Sequence, residues 1–324
     1  MRTRPFGQTG LSVSELSIGT WGLSGDGYGD VDPLERDRVI DRALELGINL
    51  FETADVYGRG EMEKCLGARL GDAASTHVVT KVGTFRSDPP PESEPGEIEE
   101  AYKRFDAAYL RQAVERSRER LKREKIDVVL LHNPSATTMS RGEAALVMKE
   151  LKQSGAIGAW GVSVGDAYAA RAALGHGAEV IELAYNIFFS RELHELAGDL
   201  AKAKTAVLAR SVLSYGLLVG MRGPTDWFSP GDHRAERWTR LEFETRLRQL
   251  DAVRSLVRGD VLTMRGAAVR FVLCNEVVSS AVLGPKNVVQ LEQLVREAGS
   301  GPPYLSEEAL TLLASDLSRV GVVT

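Results

Sequence analysis

The chain has 324 residues, 43% hydrophobic and 26% charged, the make-up of a soluble globular protein able to bury a large core. Lys and Arg number 40 against 45 Asp and Glu, a net charge of −5 that argues against a general nucleic-acid binder. Two cysteines, Cys65 and Cys274, exclude a disulfide framework and disfavour a structural zinc site.

From the start, residues 1–7 lack the apolar segment of a secretory signal, and no later run reaches about 18 apolar residues. A cytoplasmic protein with no membrane contact is therefore expected. Residues 6–13 read as a short hairpin turned at Gln8 to Gly10. Eight short apolar runs follow, at 16–20, 48–51, 77–81, 126–132, 158–163, 180–185, 206–210 and 278–283. Their continuous Val, Ile and Leu content suits parallel strands covered on both faces. Amphipathic stretches lie between them. Residues 32–46 open with Asp32 as N-cap and Pro33 at the first helical position. Residues 109–124 and 143–153 keep a helical period, and 307–317 read as a C-terminal helix.

Two connections are long. Between Gly83 and Ala108 runs a Pro-, Glu- and Ser-rich insertion with Pro89-Pro90-Pro91, whose acidic residues 92–100 read as a solvated loop. A second loop follows Arg210 and includes residues 228–234. Eight alternating units predict an α/β fold, a (β/α)8 TIM barrel, as a single domain over 1–324. A doubly wound sheet ranks second, because it would normally carry Gly-x-Gly-x-x-Gly after its first strand, and Gly19-Thr20-Trp21-Gly22 does not match.

In a barrel of this kind the active site is built from the carboxyl ends of the strands. Those ends carry Thr20 and Trp21, Glu52, Lys81, His132, Ser163, Glu182 with Asn186, Arg210, and Gly284 with Lys286; Asp55 and Tyr57 lie just past the second. Burying an unpaired ammonium is costly, so Lys81 requires a carboxylate or phenol nearby. A lysine cation beside a tyrosine favours the phenolate and lowers its pKa. A carboxylate would hold that lysine, and a histidine at the same rim would orient a carbonyl oxygen. Glu52, Tyr57, Lys81 and His132 are those four types, and they describe protonation of a C=O, which requires a hydride source. Asp55 reads as a turn residue, and Trp21, Phe188 and Trp227 as candidates for a pocket wall. Metal binding is disfavoured, since the five histidines show no ligand spacing.

The stretch Phe51-Glu52-Thr53-Ala54-Asp55-Val56-Tyr57-Gly58 with Glu61 resembles the aldo-keto reductase motif F-D-T-A-x-x-Y-G-x-x-E. Thr80-Lys81, Leu131-His132-Asn133-Pro134, Gly161-Val162-Ser163, Tyr185-Asn186, residues 216–220 and Gly284-Pro285-Lys286-Asn287 resemble that family's further motifs in its order. The resemblance implies a barrel that binds NADPH in extended form and reduces small-molecule aldehydes and ketones without metal. It implies Tyr57 as proton donor, Lys81 as the group lowering its pKa, Glu52 as the lysine's partner and His132 as the carbonyl-orienting residue. Cofactor contacts would come from Thr20, Trp21, Ser163, Glu182, Arg210, Ser211, Leu213, Gly284, Lys286 and Gln290. Arg210 would stack on the nicotinamide, and Lys286 would favour NADP over NAD by charge pairing with the 2′-phosphate.

The chain departs from the family pattern at four places. Glu52 replaces Asp, Val164 replaces Asn, Glu182 stands where Gln is common, and Gln293-Leu294 replace Glu-Asn. These departures keep open a second reading, an NADP(H)-binding sensor or regulatory protein of the same fold with weak or no turnover. The short tail implies a rather open site, and a monomer is the default expectation.

Overall fold

A computed structural model of the chain describes residues 1–86, 102–223, 225–229 and 232–322. An N-terminal hairpin pairs β1 (Thr3–Pro5) with β2 (Ser12–Ser14). The strands that follow are β3 (Leu16–Gly19), β4 (Leu50–Glu52), β5 (His77–Val82), β6 (Thr84–Phe85), β7 (Tyr102–Lys103) and β8 (Ile126–His132). They continue with β9 (Ile157–Val164), β10 (Val180–Ala184), β11 (Ala206–Arg210) and β12 (Ser280–Leu283). Eight of these close into one parallel barrel in the order β3-β4-β5-β8-β9-β10-β11-β12, with β12 returning to β3. Closure excludes the doubly wound alternative, which is an open sheet.

Strand residues alternate between two apolar layers, as the two-residue period of a strand requires. Leu50, Val79, Val128, Leu130, Val180 and Leu208 fill the barrel interior. Phe6 and Val13 of the hairpin join that inner cluster, so the hairpin plugs the end opposite the active-site face. Val78, Val129, Leu131, Val162, Ile181 and Val207 face outward into the larger cluster beneath the helices.

The helices begin where their caps dictate. The Asp32 side chain accepts from the Leu34 amide at 3.0 Å and Pro33 opens Pro33–Glu45. The second expected helix starts two residues earlier and ends three earlier, as Ala107–Leu121. Asp106 caps it, and Lys122 turns left-handed at its end. The C-terminal helix runs over Glu307–Arg319. Residues 48 and 49 stay out of β4. The Asn49 side chain instead accepts from the Ser14 amide at 2.6 Å and donates to the Ser12 carbonyl at 3.0 Å, tying the hairpin down.

At the two described ends of the insertion, β6 and β7 pair antiparallel with Thr84 opposite Lys103. Pro89-Pro90-Pro91 and residues 92–100 lie outside the described residues, as do Pro230 and Gly231. The stretch after Arg210 contains more helix than its composition suggested. His233–Arg237 and Arg240–Ala252 are helical, the second opened by a capping box of Thr239 and Glu242.

Gly161, mid-strand in β9, is where the barrel is least tolerant. A Cβ there would fall on the Val180 carbonyl oxygen of the neighbouring strand, which is backbone and cannot swing away. Gly161→Ala is expected to cost about 3 kcal/mol or more, by the overpacking it forces. Urea unfolding checks this; an unchanged midpoint would show that β9 and β10 separate freely.

Candidate functional site

The register of neighbouring strands lines up the chemistry. His132 of β8 lies opposite Ser163 of β9, and Ser163 lies opposite Glu182 of β10. On the other side of the barrel mouth, Glu52 of β4 pairs with Gly19 of β3. A Cβ at Gly19 would stand 2.9 Å from Glu52 Oε2, so the missing side chain makes room for a glutamate at this position. Tyr57 sits five residues past β4, in a short 3-10 turn, Tyr57–Gly60, where Gly58 and Arg59 adopt positive φ.

Lys81 is the centre of the site and is 1% exposed. Its Nζ is in direct ionic contact with Glu52 Oε1 and donates to the Tyr57 hydroxyl at 3.1 Å and the Thr53 carbonyl at 3.3 Å. Glu182 Oε1 lies 3.7 Å from the same Nζ and 3.7 Å from Arg210 Nε, and it accepts from the Ser163 hydroxyl at 3.2 Å. Two carboxylates and two cations therefore balance in one buried cluster. The His132 ring stands edge-on to Tyr57 with centroids 6.1 Å apart.

Burial pulls the Lys81 ammonium down to about 8, with Glu182 opposing and Arg210 adding to the shift. Burial likewise pushes the Tyr57 phenol above its ordinary range; Glu182 raises it further and Arg210 draws it back. The net direction is opposite to that expected from Lys81 alone. An ammonium 3.1 Å from the phenol oxygen is worth roughly 5 kcal/mol to a phenolate at an effective dielectric near 20. Glu52, touching that ammonium, offsets part of this. Lys81 thus acts on the phenol through an aimed hydrogen bond and a field that its counter-ion reduces. His132 is held well below its usual range by burial first, then by Lys81, Lys103, Arg210 and Arg86, so its ring is neutral. A neutral imidazole keeps one N–H to donate.

These residues open onto a groove of about 1840 Å³ running from the barrel mouth to the helix Val288–Glu297. Of the expected site residues, Glu52, Tyr57, Lys81 and His132 line it together, with Trp21, Ser163, Glu182, Arg210, Ser211, Leu213, Gly284, Lys286 and Gln290. Thr20 does not; it is fully buried, and its Oγ1 has no hydrogen-bond partner among the described residues. Phe188 and Trp227 do not line it either. Phe188 is a core residue, and Trp227 packs on Phe228 and Phe243. Arg210 donates to the Val164 carbonyl at 3.0 Å while facing Glu182, so part of its guanidinium is engaged below the groove. Lys286 donates to the Tyr28 carbonyl at 2.7 Å, and Gln290 Oε1 accepts from the Lys286 amide at 2.9 Å.

Sequence reasoning named Trp21 as a candidate pocket wall; it missed Tyr28, which also lines the groove, and His233, which packs against both rings. Trp21, Tyr28 and His233 pack ring to ring at 4.6 to 5.2 Å, and the His233 amide donates to the Gly27 carbonyl at 3.0 Å. Asp55 lies in a turn, as expected. Its Oδ1 is buried without a partner among the described residues, and burial with nearby Glu63 holds its carboxyl well above the usual range.

The residues suit an extended dinucleotide. Glu182 Oε2 is buried and unpartnered among the described residues, an acceptor free for an amide N–H at the groove floor. The outer end is lined by Arg222, Arg234, Arg237, Arg265 and Lys286, a donor set matched to phosphates.

Known proteins agree with this architecture. Residues 15–300 match the sequence model of the Aldo/keto reductase family. The NADH-specific methylglyoxal reductase of Escherichia coli is 30% identical over 75% of this chain and 76% of its own. The glycerol dehydrogenase of Gluconobacter oxydans superposes with a TM-score of 0.84 at 27% identity, covering 99% of this chain and 97% of that one. An aldo-keto reductase from Bacillus halodurans, solved in a holo form, gives 0.79 at 25% identity over 98% and 96%. With the family's sequence pattern running through nearly the whole length and its barrel closed around a Tyr, a Lys and a His, the chain belongs to the aldo/keto reductase family, whose members are carbonyl-reducing oxidoreductases.

Proposed function

We propose that the protein reduces aldehydes and ketones to alcohols with NADPH, with Tyr57 as the proton donor. The hydrogen bond from Lys81 Nζ to the Tyr57 hydroxyl at 3.1 Å, beside a neutral His132, carries this reading. NADPH would supply the hydride for the carbonyl carbon. Ser163 and Glu182 would hold its carboxamide, Arg210, Trp21, Ser211, Leu213 and Gly284 would contribute to its nicotinamide half, and Lys286 and Gln290 would hold its adenosine end.

The protein's own part is proton placement. The His132 N–H holds the carbonyl oxygen toward Tyr57. As negative charge builds on that oxygen, the phenol O–H transfers its proton, and the Lys81 N–H steadies the oxygen left behind. Burial keeps the phenol protonated until that moment. The regulatory alternative keeps one observation in its favour: Glu52 and Glu182 together compensate Lys81, which weakens its help to the phenolate.

Steady-state oxidation of NADPH with 4-nitrobenzaldehyde, methylglyoxal and 9,10-phenanthrenequinone tests the proposal. Carbonyl-dependent oxidation is expected, with a rate that falls as pH rises through about 8, where buried Lys81 gives up its proton. The sign follows from the lowered value, since the ammonium exists only below it. Tight NADPH binding without turnover of any carbonyl would leave the regulatory reading standing. Thermal shifts with NADPH and NADH read the cofactor preference, because a ligand binding only the folded form raises Tm. Equal stabilisation by NADH would remove Lys286 as a phosphate contact.

A further inference from the structure

The insertion after β5 places two cations on the rim of the groove beside the reacting groups. Thr84 lies opposite Lys103 in the β6–β7 ladder, so these two share one face of the ribbon, and Arg86 follows just past the end of β6. Both Arg86 and Lys103 line the groove that holds Tyr57 and His132. Lys103 Nζ donates to the Thr84 hydroxyl at 2.6 Å and to the His132 backbone carbonyl at 3.0 Å, which fixes the ammonium next to the carbonyl-orienting residue. Arg86 Nη1 donates to Asp26 Oδ1 at 3.2 Å, and Asp26 Oδ2 accepts from the Gly58 amide at 2.7 Å, which fixes the guanidinium next to Tyr57. Arg86 Nε is buried and without a partner among the described residues.

Among the described residues, the local charges do not cancel. Glu52 and Glu182 on the groove floor are matched by Lys81 and Arg210. Asp26 is matched by Arg86. Burial draws the Lys103 ammonium below its ordinary value, and the carboxyl that opposes this is Asp55, which does not line the groove and which burial and Glu63 hold toward its neutral form. Among the described residues, one positive charge is left over at the substrate rim, with a second guanidinium close by.

We propose that Lys103 and Arg86 form a subsite for an anionic group on the substrate, so that the protein selects carbonyl compounds carrying a carboxylate or phosphate over their neutral counterparts. This rests on the carbonyl-reduction reading above and names the substrate class of that same site. An oxyanion there gains charge-assisted hydrogen bonds from a preformed pair, while a neutral substrate of the same shape leaves both donors to water.

The test is kcat/KM for two pairs that differ in charge: 4-oxobutanoate against its methyl ester, and glyceraldehyde 3-phosphate against glyceraldehyde. The wild type is expected to favour the anion at least tenfold in one or both pairs, with the pair showing the larger ratio identifying the oxyanion. Lys103→Met is expected to reduce that ratio at least fivefold, Lys103→Arg to retain it, and raised salt to shrink it. Lys103→Met also removes the bond to the His132 carbonyl, but that loss slows both members of a pair alike and leaves the ratio as the readout. A wild-type ratio near one in both pairs overturns the subsite while carbonyl reduction stands. An unchanged ratio in Lys103→Met and Arg86→Met overturns it as well. Turnover of none of the four compounds or of the general carbonyl panel removes the parent reading, and the subsite falls with it.

Discussion

Lys81→Met is expected to lower kcat/KM for carbonyl reduction at least a hundredfold and, separately, to lower Tm by several degrees. The two losses have different origins. The rate falls because the Tyr57 oxygen loses the N–H that steadies it as the proton leaves, and general-acid contributions of this kind run to about 10²–10⁴-fold. Stability falls because Glu52, 4% exposed, is left as a buried carboxylate without its cation. Breaking one side of a buried pair costs roughly 3–5 kcal/mol, more than the pair is worth intact, because the remaining charge stays desolvated. Glu182 is less affected, since Arg210 and Ser163 still hold it.

The double variant Lys81→Met/Glu52→Gln separates these effects. Neutralising Glu52 removes the stranded charge, so most of the lost Tm is expected to return while the rate stays low. Thermal melts and steady-state kinetics on the three proteins check it. If the double variant recovers rate along with stability, Lys81 acts only as a structural counter-ion and the role given to its hydrogen bond is wrong.

Much of the fold was legible because parallel strands buried on both faces need continuous apolar runs, and runs such as 126–132 and 206–210 have little else they can form. The candidate site was legible in part for a related reason. A lysine closing an apolar run at Lys81 has to find partners, and Glu52 and Tyr57 on the preceding strand and turn are the groups it found. Strand ends were less legible where a side chain competes for the backbone, as Asn49 does by bonding the hairpin ahead of β4. The β6–β7 ladder left no sequence signal, since two-residue strands carry no period. The helix Arg240–Ala252 did leave one, the Thr-x-x-Glu of its capping box, hidden inside a stretch read for its Pro and Gly.

The electrostatics were the least legible part. Tyr28 lines the groove and packs on His233, a contact between segments more than 200 residues apart that no local pattern reports. Lys81 alone predicts a lowered phenol pKa. The upward direction comes from burial and from a second carboxylate, Glu182, delivered by a strand about 100 residues away. Residue types named the participants, and only their packing set the balance of charge among them.

Proton donation by Tyr57 is most directly tested by Tyr57→Phe, which keeps the ring against His132 and deletes one oxygen. The neutral His132 gives up its remaining N–H far less readily than a phenol gives up its O–H, and two of the Lys81 hydrogens stay with Glu52 and Thr53, so neither group is an efficient replacement. The measurement is kcat for carbonyl reduction alongside the dissociation constant for NADPH. The expected result is a fall in kcat of about 10²–10⁴-fold with NADPH affinity held within about threefold. Retention of more than a tenth of the wild-type kcat would contradict it, because the proton would then be reaching the carbonyl from somewhere else.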